Sequence, residues 1–140
     1  FDIEISNSEL VVAKHQFIKN RFKNFVLDLS SNISAKKIEK IVHIIKHEFS
    51  ANVYFTSKAI HDKDFINIEE IHIVNLFELF ALAKVSDLLI TDRLEIAGAF
   101  ADLDIDQVFL GSNIDNRQIK CVEKNNIGNL GNIIQNIINK

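Results

Sequence analysis

Several residue types that shape protein structure are absent or scarce in this sequence of 140 residues. It contains one cysteine, Cys121, so an internal disulfide and a cysteine-based metal cluster are excluded, which is typical of a reducing compartment. Proline, methionine and tryptophan are absent. Because the sequence lacks methionine and starts at Phe1, we expect it to be part of a larger protein.

The sequence also lacks long hydrophobic runs and a strong excess of either charge. A membrane-spanning helix needs about 20 consecutive apolar residues, and no run approaches that length. The first residues lack the basic and apolar regions of a signal peptide, so we expect a cytoplasmic protein without a membrane span. A net charge of -3 and a pI near 5.9 give no general reason to bind nucleic acid.

What is present is a large share of hydrophobic residues, 47%, arranged in short segments. This composition predicts one α/β domain over residues 1–140, with residues 1–24 forming a lead-in helix and linker. Runs rich in β-branched and aromatic residues predict strands at 25–29, 52–56, 71–74, 88–91, 107–110 and 119–122. Helical spacing of apolar residues predicts helices at 8–23, after Ser34, at 76–84, at 94–101 and at the carboxyl end.

The helix after Ser34 has the most regular pattern. Ser34 is a natural N-cap, and one face of the helix that follows carries Ile38, Ile41, Val42, Ile45 and Phe49. In the helix at 76–84, Asn75 precedes Glu78 by three residues, a variant of the capping box.

Strands that alternate with amphipathic helices predict an open doubly wound, mainly parallel sheet of the Rossmann-like type. Ligands of such folds bind beyond the carboxyl ends of the strands. Three segments follow predicted strands at that edge, namely 30–34, 92–95 and 111–118. They are the candidate ligand-binding loops.

The first loop offers hydroxyl and amide groups from Ser30, Ser31, Asn32 and Ser34. A helix start presents unpaired N–H groups and the positive end of the helix dipole, so this loop can hold a phosphate group, with help from Lys36 and Lys37. The alternative is simple helix capping, which the absence of glycine from the loop favours.

The second loop has Thr91 at the strand end, followed by Asp92, Arg93 and Glu95. Asp92 can accept hydrogen bonds from a sugar hydroxyl, Arg93 can pair with a diphosphate, and Glu95 can serve as a general base or ribose partner. In the alternative interpretation, the acidic residues cap the helix start and Arg93 pairs with one of them.

The third loop is rich in side chains that recognise polar ligands, and ordinary turns use the same residue types. The candidates for ligand contact are Asn113, Asn116, Arg117 and Gln118.

The remaining chemistry-bearing residues predict no metal site, cofactor or covalent catalysis. His43 and His47 have a spacing that can bind metal, but they fall opposite the apolar stripe of their helix, and no third ligand is evident. Cys121 is expected in or beside a strand as a small buried residue, and a G-x-S-x-G nucleophile motif is absent.

The order of these segments resembles the C-terminal domain of GT-B-type nucleotide-sugar enzymes. "ELFALAKVSDLLIT" resembles their helix before a strand, "VFLGSNIDNRQ" resembles a strand followed by an N-Q pair, and "NNIGNLG" resembles their closing motif. "VVAKHQF" stands where the family has its linker into the second domain. Within this superfamily the chain is most similar to the UDP-sugar hydrolase of pseudaminic acid biosynthesis and the related lipid II glycosyltransferase. "LLITDR" also resembles polysaccharide pyruvyl transferases and teichoic acid glycerophosphotransferases.

The sequence departs from these families at their ligand-binding positions. Residues 30–32 and 92–95 replace two glycine-rich segments, and residues 104–106 replace a Gly-x-Pro. Ala99 stands where the family has its ribose-binding Glu, and Glu95 stands where pyruvyl transferases have a His.

The resemblance implies a nucleotide-sugar-binding domain of a glycosyltransferase or UDP-sugar hydrolase in bacterial surface-glycan biosynthesis. It also implies a UDP-type nucleotide-diphosphate sugar as ligand, and a second GT-B-like domain or partner chain that completes the cleft. Arg93 and Arg117 would then stabilise the leaving diphosphate without a metal. The departures favour an alternative, a non-catalytic GT-B-like binding or assembly module.

Overall fold

The computed structural model describes residues 5–30, 33–56, 69–70, 75–112 and 120–139. The described strands are β1 Asn24–Asp28, β2 Asn52–Phe55, β3 Glu69–Glu70, β4 Leu88–Thr91, β5 Gln107–Leu110 and β6 Cys121–Val122. The described α-helices are α1 Asn7–Lys14, α2 Ala35–Phe49, α3 Leu76–Val85, α4 Leu94–Phe100 and α5 Leu130–Ile138, and a 3₁₀ helix, Lys124–Asn129, precedes α5.

The described strands form one sheet in the order β3-β2-β1-β4-β5-β6, and every pairing is parallel. The predicted doubly wound, Rossmann-like sheet is therefore confirmed. The chain runs from β1 outwards to β3 and then returns to the other side of β1 with β4. The carboxyl ends of β1 and β4 thus form the topological switch point, where ligands bind in open α/β sheets.

Two apolar layers cover the sheet, as a parallel sheet requires. Alternate strand residues such as Leu27 and Ile90 face a core that they share with α2 and α5. Their neighbours Val26 and Leu89 face a second core, shared with α1, α3 and α4. Because side chains alternate between the two faces, the strands read in the sequence as continuous apolar runs.

Helix α2 forms where the sequence predicts it. The Ser34 hydroxyl accepts a hydrogen bond from the Lys37 N–H at 3.3 Å, which caps the first turn. Ile38, Ile41 and Ile45 are buried on one face. The helix ends at Ser50, whose left-handed backbone (φ 50°) turns the chain towards β2.

Helix α1 is shorter than the helix predicted over residues 8–23, because it ends at Lys14. The chain then turns so that Phe17 packs on Tyr54, with ring centroids 4.9 Å apart, and the Ile18 N–H donates to the Tyr54 hydroxyl at 2.8 Å. These contacts with β2 replace the last two turns of the predicted helix. Val11 within α1, and Ile18 and Phe22 after it, are exposed.

The predicted third and sixth strands are not fully covered by the described residues. The third strand, predicted at 71–74, lies outside them, and the described strand is the two-residue β3 just before it. The sixth is confirmed only at Cys121–Val122, and residue 119 is not described.

The burial of the α2 stripe leads to a stability prediction. Ile45 is fully buried between α2 and the sheet, so we expect Ile45→Ala to lower the free energy of unfolding by about 2–5 kcal/mol in urea denaturation. His43→Ala on the exposed face of the same helix is the matched control, with an expected change within about 0.5 kcal/mol. Equal effects of both variants would contradict the assigned orientation of α2.

Candidate functional site

A buried carboxylate, that of Asp28, lies at the switch point. Asp28 is the last residue of β1, and only 3% of its surface is exposed. Its strand, β1, lies between β2 and β4 in the sheet. Residues at the carboxyl ends of both neighbouring strands can therefore reach the Asp28 carboxylate. A buried carboxylate is stable only when its oxygens accept hydrogen bonds or pair with a cation.

The partners of Asp28 come from both neighbouring strands. The Thr56 hydroxyl, just after β2, donates to Oδ1 at 2.9 Å, and the Thr91 hydroxyl, at the end of β4, donates to Oδ2 at 3.0 Å. Arg93 adds a bidentate ion pair, with Nε donating to Oδ2 at 2.9 Å and Nη2 to Oδ1 at 2.7 Å. Each carboxylate oxygen therefore accepts two hydrogen bonds.

Arg93 is held at the surface of this network. Its side chain is 38% exposed, so the guanidinium lies between the buried carboxylate and the solvent. Its hydrogen bonds to Asp28 are the main cause of a raised pKa, which partial burial opposes and the charges of Asp28, Glu95 and Asp92 reinforce. Arg93 is thus a permanent cation, and its backbone N–H also donates to the Thr91 hydroxyl at 3.1 Å.

A second pair of hydrogen bonds joins the loops after β1 and β4. Asp92 accepts from the Ser30 N–H through Oδ1 at 2.8 Å and from the Ser30 hydroxyl through Oδ2 at 2.6 Å. The Asp92 carboxylate therefore ties the loop after β4 to Ser30 in the loop after β1. One bond comes from the Ser30 backbone N–H and the other from its hydroxyl, so a single carboxylate holds the two loops together.

The structure brings some of the predicted site residues together. Ser30, Thr91, Asp92 and Arg93 meet at the switch point in the contacts described above. Ser34 caps α2, and Glu95 is exposed in the first turn of α4. The other predicted residues lie outside the described ranges: Ser31, Asn32, Asn113, Asn116, Arg117 and Gln118. Nucleotide-sugar binding by these twelve residues stays a prediction.

Two residues that organise the site, Asp28 and Thr56, were not among the predicted ones. The sequence does contain a signal for Asp28, which is the one charged residue within the apolar run "FVLDL". An ionised residue in a buried strand requires a partner. The partner itself, Arg93, is 65 residues away and could not be found from local pattern.

The other predicted features show no site among the described residues. No three His, Cys, Asp or Glu side chains cluster there as metal ligands, and His43 and His47 lie exposed with ring centroids 4.0 Å apart. Burial raises the pKa of the partly buried Cys121 thiol, which lowers its thiolate fraction. None of the described helices has the length and apolar character needed to cross a membrane.

Comparison with known proteins gives matches of structure only. No protein-family model matches the chain, and no curated protein matches it. The fold is similar to UDP-GlcNAc 2-epimerase from Methanocaldococcus jannaschii in complex with UDP-GlcNAc and UDP, with a TM-score of 0.69 and 18% identity over 95% of this chain and 45% of that chain. A second structure of that enzyme gives a TM-score of 0.75 and 17% identity, over 96% and 44% of the two chains.

A third similar structure is the glycotransferase of kitacinnamycin, with a TM-score of 0.62 and 9% identity over 89% of this chain and 37% of that chain. At these identities the similarity is one of fold, and it agrees with the predicted Rossmann-like α/β sheet. This chain spans less than half the length of each of these proteins.

The Asp28–Arg93 ion pair leads to a prediction about stability. Arg93→Ala leaves the buried Asp28 carboxylate without its cation. We therefore expect the free energy of unfolding to fall by about 2–3 kcal/mol. Loss of a fully buried partner would cost more, but Arg93 is partly exposed to solvent. The double variant Asp28→Asn/Arg93→Ala removes both charges and should cost less than the sum of the single variants Asp28→Asn and Arg93→Ala. Lys84→Ala, which breaks an exposed pair with Asp104 at 3.8 Å, is the control and should have little effect. Strict additivity of the two single changes would contradict the coupling.

Proposed function

We propose that this chain is the nucleotide-sugar-binding domain of a GT-B-type enzyme, either a glycosyltransferase or a UDP-sugar hydrolase of bacterial surface-glycan biosynthesis. The observation that carries the proposal is the oriented guanidinium of Arg93 at the switch point of a GT-B-like sheet. The fold similarity to a UDP-GlcNAc 2-epimerase and a glycotransferase supports it. A cytoplasmic location and the sequence resemblance to the hydrolase and lipid II group belong to the same proposal.

The geometry of Arg93 determines how a diphosphate would bind. Asp28 accepts from Nε and one hydrogen of Nη2, which occupies one edge of the planar guanidinium. Among the described residues no partner lies on the adjacent edge, formed by Nη1 and the second hydrogen of Nη2, so that edge can bind another anion in the same plane. Asp28 therefore acts as a positioning residue, because it fixes the plane in which Arg93 can donate.

The start of α2 would contribute the second half of the anion site. The helix begins at Ala35, directly after the loop that follows β1, and its first turn carries Lys36 and Lys37. Unpaired N–H groups and the helix dipole favour a phosphate at this position. The chain spans less than half the length of its structural neighbours. A second domain or partner chain would bind the rest of the substrate.

A specific observation also favours the alternative, a non-catalytic binding or assembly module. Asp28 neutralises Arg93, and Asp92 and Glu95 place two further carboxylates near the guanidinium. A diphosphate would meet this negative charge without the glycine-rich loops that bring backbone N–H groups to a ligand. In the module hypothesis, the polar network is a structural replacement for the bound nucleotide.

Nucleotide titration by ¹H–¹⁵N NMR distinguishes the two functions. We expect millimolar UDP to shift the amide signals of residues 30, 34–37 and 91–95, with weaker or no shifts from CDP, GDP and ADP. Arg93→Lys keeps the charge but loses the planar donor edge, so UDP affinity should fall about tenfold. Lys19→Ala, at the opposite edge of the sheet, is the control and should bind UDP normally.

Failure of all four nucleotides to shift these signals would contradict the nucleotide-sugar proposal and favour the non-catalytic module. Unchanged UDP affinity in Arg93→Lys would place the ligand elsewhere.

A further inference from the structure

The segment from the end of α1 to the start of β1 is positively charged, although the chain as a whole has a net negative charge. Lys14, Lys19, Arg21 and Lys23 are all exposed, and residues 10–27 contain no Asp or Glu. The complete chain has a net charge of -3. Within the described ranges, none of these four cations forms an ion pair. The segment therefore presents a local positive field on an acidic protein.

Apolar side chains are exposed among these cations. The described part of the chain exposes five large hydrophobic side chains, and four of them lie between residues 11 and 22. Their exposed fractions are 54% for Val11, 62% for Val12, 46% for Ile18 and 43% for Phe22. Single exposed apolar residues are ordinary, but Val11 and Ile18 line one groove together with Lys14 and Lys19, and apolar side chains grouped with cations mark an interaction surface. The exposed side chains of residues 11–23 are called the 11–23 surface below.

Hydrogen bonds to the sheet hold the non-helical part of the 11–23 surface in place. The side-chain amides of Asn20 and Asn52 bond each other reciprocally at 2.9 and 3.3 Å, and the Phe22 N–H donates to the Asn20 side chain at 3.0 Å. The Ile18 N–H donates to the buried Tyr54 hydroxyl. Ile18 and Phe22 are thus held outwards by a fixed backbone, which reduces the entropy lost when they bind.

The shape of the surface adds a groove beside the protruding side chains. A cavity of about 680 Å³ opens between the end of α1 and the start of β1. Its lining combines apolar Val11, Ile18 and Val85 with cationic Lys14 and Lys19. Because this groove lies at the amino end of β1, it is separated by the length of the strand from the switch point at the carboxyl end.

We propose that the 11–23 surface docks the protein on an anionic lipid bilayer. Cations near a membrane surface attract anionic headgroups, and apolar side chains between them enter the interface between headgroups and acyl chains. The composition favours a bilayer over a protein partner, because three of the four cations are lysines, in which protein–protein interfaces are depleted. This docking is peripheral and independent of nucleotide binding, since the carboxyl edge of the sheet faces away from the bilayer.

Vesicle co-sedimentation tests this proposal. We expect the chain to bind vesicles of phosphatidylcholine mixed with phosphatidylglycerol, and to bind pure phosphatidylcholine vesicles much more weakly. Salt should weaken the binding because exposed charges are screened. Lys19→Gln/Lys23→Gln should lower the partition coefficient about 30-fold, from the loss of two cations. Ile18→Ser/Phe22→Ser should lower it about tenfold through lost apolar burial.

The matched control is Lys40→Gln/Lys120→Gln, which removes two exposed cations from outside the surface and should bind like the unaltered chain. Circular dichroism of each variant checks that it is folded. UDP titration of the same variants should be unchanged, so failure here is distinguishable from failure of the proposed function.

Three outcomes would overturn the proposal. The first is absence of binding to the anionic vesicles, and the second is an equal loss of binding in the control pair. The third is binding to an acidic polypeptide such as polyglutamate, or self-association in sedimentation, without binding to vesicles. That last outcome would assign the 11–23 surface to a protein partner or a second copy of the chain.

Discussion

The carboxylate of Asp28 is the constraint on which the centre of this fold depends. It is buried at the end of the central strand β1, and its four hydrogen bonds reach Thr56 after β2 and Thr91 and Arg93 in and after β4. An ionised group in that position is tolerated only because every partner is present. The carboxyl ends of three adjacent strands are therefore joined by one side chain, at the position where an open α/β sheet would otherwise separate into a crevice.

This constraint also governs what the site can do. Arg93 offers a cation at the switch point, but the plane of its guanidinium is fixed by Asp28, and the loops after β1 and β4 are tied by Ser30 and Asp92. A glycine-rich site brings backbone N–H groups to a phosphate. Here the Asp92 carboxylate accepts two hydrogen bonds from Ser30 and joins the loops. The proposed diphosphate contact therefore rests on one edge of one side chain and on the start of α2.

Local pattern was sufficient to predict the sheet and most helices. The strands β1, β2, β4 and β5 are short apolar runs, and α2 begins at the Ser34 cap that its sequence indicates. Each of these features depends on residues within one or two helical turns of one another. The parallel topology then follows from the alternation of strands and helices, because consecutive parallel strands need crossover connections.

The features that could not be predicted depend on residues far apart in the sequence. The length of α1 is decided by Phe17 and Ile18 meeting Tyr54, 36 residues after Ile18. The partner of Arg93 is Asp28, whereas local reasoning had offered only acidic residues at its own helix start. Propensity cannot indicate such contacts, since it reports on neighbours in the chain.

The most direct test of this account is to observe the Arg93 Nε–H signal by NMR while UDP is added. In the free protein, its hydrogen bond to Asp28 should protect this proton from exchange with water and give it a resolved resonance. The account predicts that UDP shifts the signal and leaves it protected, because the diphosphate binds the other edge while Asp28 stays in place. A signal that is unaffected by saturating UDP, or that loses its protection, would contradict the proposed geometry.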